Sequence, residues 1–209
     1  MWRKFAVVVP ILIFAVGVLF TSVFRTASVK YEFDSTIPTK APLVLGENEQ
    51  NIDYFLPYPG RVLPDSPAWP LKAMRDRIWL WVTANPTRRA ELNLLFADKR
   101  LGSAKILFEK NKPEVGLSAL TKAEKYLASA SNQEIENRKK GSDTTEFLGR
   151  LANSSMKHYQ VMEEIYKIAP EEAKPTVVQF QDYPKRVYEV ARNALLEKAV
   201  IPPENPFDW

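Results

Sequence analysis

The 209-residue sequence predicts an all-α protein in three parts: one N-terminal transmembrane helix, a proline-rich tether, and an antiparallel bundle of four or five helices. Three observations carry this. An uncharged, mostly apolar run extends from Ala6 to Phe24. Prolines crowd the stretch that follows. Beyond Pro70 apolar residues recur at steps of three and four, and no stretch alternates as a strand would.

The first segment is bounded by Arg3 and Lys4 on one side and Arg25 on the other. At helical rise its nineteen residues cover about 28 Å, close to the hydrocarbon thickness of a bilayer. A helix there satisfies its own backbone polar groups. Basic residues ahead of the run favour a cytoplasmic N-terminus, with the bulk of the chain extracytoplasmic. A cleaved signal peptide shares these features, but it needs a shorter apolar core and a pair of small residues at the exit. Here Arg25 stands two places before Ala27, the one suitable small residue. Residues 1–25 are therefore expected to act as a single-pass anchor at the cell membrane, with membrane lipid as partner to residues 6–24, and cleavage is the alternative.

Charge then narrows the partners. The chain is formally +4, but removing Arg3, Lys4 and Arg25 leaves 26 basic and 25 acidic residues, a net of +1. The basicity is partly a targeting effect, so no nucleic-acid partner is expected. With no cysteine there is no disulfide framework and no thiolate metal site.

Prolines at 38, 42, 57, 59, 64, 67 and 70 exclude long helices and central strands before residue 70. Residues 26–53 read as an extended linker. Tyr54-Phe55-Leu56-Pro57-Tyr58-Pro59-Gly60 is too apolar for a solvated tether. Residues 54–70 are expected to lie extended across the helical domain, with Gly60 supplying a turn, and the domain to run over residues 54–200.

The helices follow in order. The first starts between Pro67 and Leu71, capped by Asp65 or Ser66, and ends near Thr83. Asn85-Pro86 reads as an N-cap followed by proline at the first helical position, opening a helix to Lys110 with Leu94, Ala97, Leu101, Ala104 and Phe108 in one stripe. Lys112-Pro113 opens the third, with Leu117, Leu120, Ala123, Leu127 and Ala130 on one face. Ser142 or Asp143 caps the fourth, whose seam reads Leu148, Leu151, Ser155, Tyr159, Met162, Tyr166 and Ala169 before Pro170. The fifth begins near Pro175, and Pro184 either kinks it or marks its true start. Residues 201–209 form a short non-helical tail.

The segments Leu56-Pro57-Tyr58-Pro59-Gly60, Leu63-Pro64-Asp65-Ser66-Pro67 and Trp69-Pro70-Leu71-Lys72 resemble the opening of the DUF5667 family. The resemblance continues through Arg75-Asp76-Arg77-Ile78, Ala90-Glu91-Leu92, Phe96-Ala97-Asp98-Lys99-Arg100-Leu101 and Lys122-Ala123-Glu124-Lys125-Tyr126-Leu127, covering roughly residues 54–130. It implies a helical domain of unknown function, membrane-attached or exported, and supplies no catalytic residues.

Motifs for chemistry are missing. His158 is the only histidine, has no acid three or four residues away, and reads as an ordinary, partly exposed side chain. No nucleophile elbow, phosphate-binding glycine loop or HExxH occurs. Neither a metal nor a cofactor is expected, and a hydrolase would need carboxylates brought together from separate helices.

Binding is the remaining reading. Tyr58, Trp69, Trp79 and Trp81 concentrate aromatic surface around the first helix, flanked by Arg75, Arg77, Arg88 and Arg89. Trp79 and Trp81 are two apart, so one is expected inside and the other at a partner or membrane surface. The expected protein is a non-enzymatic, membrane-anchored interaction or assembly domain that docks another envelope protein, a wall polymer or its own copies through these eight residues. A sensor ectodomain or an accessory subunit of a membrane complex is the alternative, and an envelope hydrolase a more distant one.

Overall fold

The structure, a computed structural model, describes residues 52–209. The expected membrane segment and most of the tether lie outside the described residues, among which no helix is long and apolar enough to cross a membrane. The described part is all-α, with α1 Trp69–Val82, α2 Pro86–Glu109, α3 Pro113–Lys139, α4 Thr145–Ile168, α5 Lys174–Phe180 and α6 Asp182–Glu197.

Local chemistry sets most of these boundaries. The Asn85 side-chain oxygen accepts from the Arg88 backbone N–H at 3.1 Å, as an N-cap should, and Pro86 fills the first helical position. At the far end of α2, Asn111 turns left-handed at φ 55°, and Lys112 N–H closes back on the Leu107 carbonyl at 2.9 Å. Asp143 accepts from the Thr145 N–H at 3.1 Å just ahead of α4. Pro184 falls in the first turn of α6, where its missing donor costs least, so it marks a true start and α5 is a separate short helix.

The short α2–α3 connection folds those helices against each other, and α4 packs along α6. Together the four long helices enclose two apolar clusters. At Gly116 the start of α3 crosses the end of α2 so closely that a Cβ would stand 2.8 Å from a Phe108 ring carbon. The expected stripe of α2 is buried throughout, and so are Leu120, Ala123, Leu127 and Ala130 of α3.

The fourth seam departs from expectation beyond Ser155. His158, Val161 and Ile165 point inward with Met162, while Tyr166 is exposed and Tyr159 is half-buried. For Tyr159 the reason lies in the tail. Phe207 and Trp209 fold back on Tyr159 with ring centroids 4.7 and 5.2 Å away, and Tyr188 donates to the Pro203 carbonyl at 2.8 Å. Residues 201–209 are thus non-helical, as expected, yet part of the packed domain.

The lead-in also packs as expected. Ile52 and Leu63 are buried, Pro59 lies over Gly102, and Gly60 turns the chain with φ 90°, a conformation that side chains with a Cβ rarely adopt. This lead-in and α1 cover one side of α2.

Candidate functional site

Two polar constructions stand out, one inside the bundle and one between α1, α2 and the lead-in. The inner one joins three helices. His158 of α4 is fully buried, with Nδ1 2.8 Å from Glu124 Oε1 on α3 and Nε2 3.1 Å from Asp98 Oδ1 on α2. Asp98 further accepts from Ser154 Oγ at 2.8 Å and from the Tyr54 hydroxyl at 2.6 Å, which ties the lead-in to the same group. Asp98 and Glu124 are each 1% exposed. The expectation of a partly exposed histidine without acidic neighbours is therefore corrected: its partners come from other helices, 34 and 60 residues away in sequence.

Electrostatics favour a charged ring. Burial alone would discharge the imidazole, but the charge of Glu124 and the hydrogen bonds to both carboxylates outweigh it and hold His158 up at about 9. Burial pushes Glu124 above its usual range, opposed by the same imidazolium, and its Oε2 has no hydrogen-bond partner among the described residues. Burial, then the Asp98 charge, pushes the Tyr54 phenol well up. Carboxylates from separate helices do meet here. Both ring nitrogens, however, are taken by carboxylates, and the Ser154 hydroxyl is directed at Asp98, so the set lacks the serine-to-imidazole bond of a catalytic triad. It is built as a charged tie between helices.

This tie makes stability depend on pH. A histidine with a raised folded-state value adds stability in full below its ordinary value of 6.5, and that contribution is lost as pH rises through about 9. Lys72, lowered to about 8 chiefly by burial, acts in the opposite sense only above that pH. Chemical denaturation should therefore show the unfolding free energy falling most steeply between pH 6.5 and 8. A full loss is on the order of 3 kcal/mol. A flat profile across that window would contradict a charged His158.

The outer construction contains the sequence-predicted aromatic and basic residues, now separated into groups. Trp79 is 5% exposed and packs edge-on against Phe96, with ring centroids 5.8 Å apart. It belongs to the core and leaves the candidate partner surface. Trp81, 83% exposed, faces outward. With it, Leu71, Met74, Ile78 and Val82 form an exposed apolar stripe at helical spacing on α1. Arg77 is exposed beside this stripe. Arg88 pairs with Glu91 at 3.1 Å in the first turn of α2, and the neighbouring Arg89 is exposed.

Tyr58, Trp69 and Arg75 gather where α1 meets the lead-in and α2, with cations the sequence reading passed over. Asp76, buried, accepts from Arg75 at 2.7 Å through Oδ1 and from buried Arg100 of α2 at 2.8 Å through Oδ2. The Trp69 ring stacks on the Arg100 guanidinium, 4.1 Å from centroid to carbon. Lys72 donates to the Pro59 and Val62 carbonyls at 2.6 and 2.9 Å, drawing the Gly60 turn down onto α1.

The missed residues left a trace in the sequence. Asp98 stands four after Leu94 and three before Leu101, Glu124 four after Leu120 and three before Leu127, and His158 four before Met162. Each is a polar group at a stripe position, where an unpaired charge would be costly.

No curated protein and no solved structure matches the chain. The match to a family model is broader than the sequence resemblance of residues 54–130, starting within the lead-in and running past the end of α4. That model, DUF5667, described as a domain of unknown function, matches residues 61–172, more than half of the chain, and the chain belongs to this family.

Proposed function

We propose that this protein is a membrane-anchored, extracytoplasmic interaction domain, non-catalytic, that docks another envelope protein through α1. The observation that carries the reading is the exposed stripe of Leu71, Met74, Ile78, Trp81 and Val82. Apolar groups at that spacing cover about a third of a helix circumference, opposite the face that Trp79 and Asp76 turn toward α2. Exposed large side chains in such continuity mark contact surfaces more often than solvated ones. Spacing of this kind suits a partner helix laid along α1, with Trp81 as the anchor and the flanking Arg77 available to partner acids. The uncharged run at residues 6–24 supports the location, because it is long enough to hold the domain at a membrane.

The test is a photo-crosslinking residue at position 81 of the full-length chain in native membranes. A reproducible protein adduct, abolished by Leu71→Ser with Ile78→Ser, is the expected result, and a self-adduct would make the partner a second copy. Because the stripe touches solvent, the serine variants should unfold within about 0.5 kcal/mol of the parent. Adducts to lipid alone, or none, would overturn the reading.

A further inference from the structure

Between the Tyr58–Val62 turn, α1 and the middle of α2 lies a recess of about 270 Å³. Five of its lining residues are cationic: Arg61, Lys72, Arg75, Lys99 and Arg100. Asp76 is the one acid among them, and both its oxygens are already committed, one to Arg75 and one to Arg100. The walls therefore carry a net charge of +4 around a space that holds no further carboxylate. Lys99 and Arg61 make no ion pair among the described residues. Lys72 spends two donors on carbonyls and keeps a third.

Gathering like charges in a partly enclosed space is unfavourable unless a counter-charge completes it. Burial lowers Lys99 as well as Lys72; the Asp76 charge opposes this at both, and Arg75 at both, with Arg100 at Lys72, lowers them further. The recess is too small for a drug-sized molecule and well sized for one tetrahedral anion with a short polyol arm. Three guanidinium forks and two ammonium groups on several sides suit the several oxygens of a phosphate better than the two of a carboxylate.

We propose that this recess is a binding site for a phosphate group, either free or carried as the phosphodiester of a lipid headgroup or polymer. The site does not rest on the docking reading: it is argued from charge gathered where α1 meets the lead-in and α2, whereas the stripe is apolar and faces solvent, with Arg75 bordering both. Arg61, on the exposed turn, and Lys99, on α2, supply charge that no ion pair among the described residues takes up. Arg75 and Arg100, fixed by Asp76, set the back wall. Trp69, stacked on Arg100, keeps that guanidinium in place.

The experiment is titration calorimetry of the full-length chain in uncharged detergent micelles, with inorganic phosphate as the probe. Saturable binding is expected, weakened roughly tenfold or more in the double variant Arg61→Gln, Lys99→Gln. Neither side chain makes an ion pair or side-chain hydrogen bond among the described residues, so the variant should melt close to the parent, and Arg61→Gln alone, on an exposed turn, should weaken binding in the same direction. Binding should also fall as pH rises past about 8, where Lys72 discharges while phosphate stays dianionic. Micelles doped with phosphatidylglycerol or phosphatidylcholine separate the sources. Displacement of phosphate by the first lipid at a mole fraction where the second does nothing assigns the site to an anionic headgroup. No displacement by either assigns it to a soluble or polymeric phosphate. Absence of saturable binding, or equal affinity in the double variant, would overturn the proposal.

Discussion

His158→Ala is expected to lower the unfolding free energy by about 3–5 kcal/mol, enough to leave a domain of this size marginal. The ring itself is a minor part of this. Its removal leaves Asp98 and Glu124, each 1% exposed, facing one another without the cation that both bond. Two buried carboxylates in that position repel and lack solvent, so one must take a proton or the helices must part. The triple variant Asp98→Asn, Glu124→Gln, His158→Ala should regain part of the loss, because it removes the uncompensated charges while leaving the same cavity. Denaturant unfolding of the two variants beside the parent checks this. A cost below about 1 kcal/mol for His158→Ala would mean that the three side chains do not act as an ionic unit.

Asp76→Ala should release α1 from the bundle. Asp76 is the carboxylate that holds buried Arg100 and, through it, Trp69. Without it Arg100 is a buried guanidinium lacking its carboxylate, a situation that costs about 3–5 kcal/mol. The rest of α1's attachment includes Trp79 and Leu80 against the Leu92–Phe96 cluster and the Lys72 bonds to the lead-in. The penalty should therefore appear as local opening. Amide hydrogen exchange over residues 69–82 is expected to speed up by about a hundredfold or more, while α3 and α4 keep their protection. Adding Arg100→Leu should restore part of it by removing the stranded charge. Unchanged exchange in Asp76→Ala would show that the apolar contacts and the Lys72 bonds fasten the helix without the ion pair. Since α1 carries the proposed docking stripe and also lines the phosphate recess, its release should weaken both.

The helices were legible in the sequence because the signals that start and stop them act within a few residues. Asn85-Pro86 and Lys112-Pro113 open helices where read, and the stripe from Leu94 to Phe108 is buried as its spacing predicts. Even the division between Trp79 and Trp81 follows from helical geometry, since residues two apart cannot share a face. Which of them faces inward depends on the rotation of α1 against α2, and that is set by contacts such as Asp76 with Arg100, 24 residues apart. The fourth seam was misread for a related reason. Tyr159 and Tyr166 match a helical period, but α4 packs against several neighbours at once, and the tail supplies Tyr159 with aromatic cover that no local pattern announces.

By itself, then, the sequence determined the fold class, the family resemblance, most helix limits and the packing of the lead-in over the bundle. Each depends on backbone chemistry, on side-chain periodicity or on the apolar content of one segment. Only the tertiary structure decided that Asp98, Glu124 and His158 form one buried charged cluster, and that Arg61, Lys72, Arg75, Lys99 and Arg100 surround a common recess. A charge at a stripe position says that a partner must exist. Its identity depends on the register and rotation of helices separated in sequence by whole elements, and these emerge when the core packs as a unit.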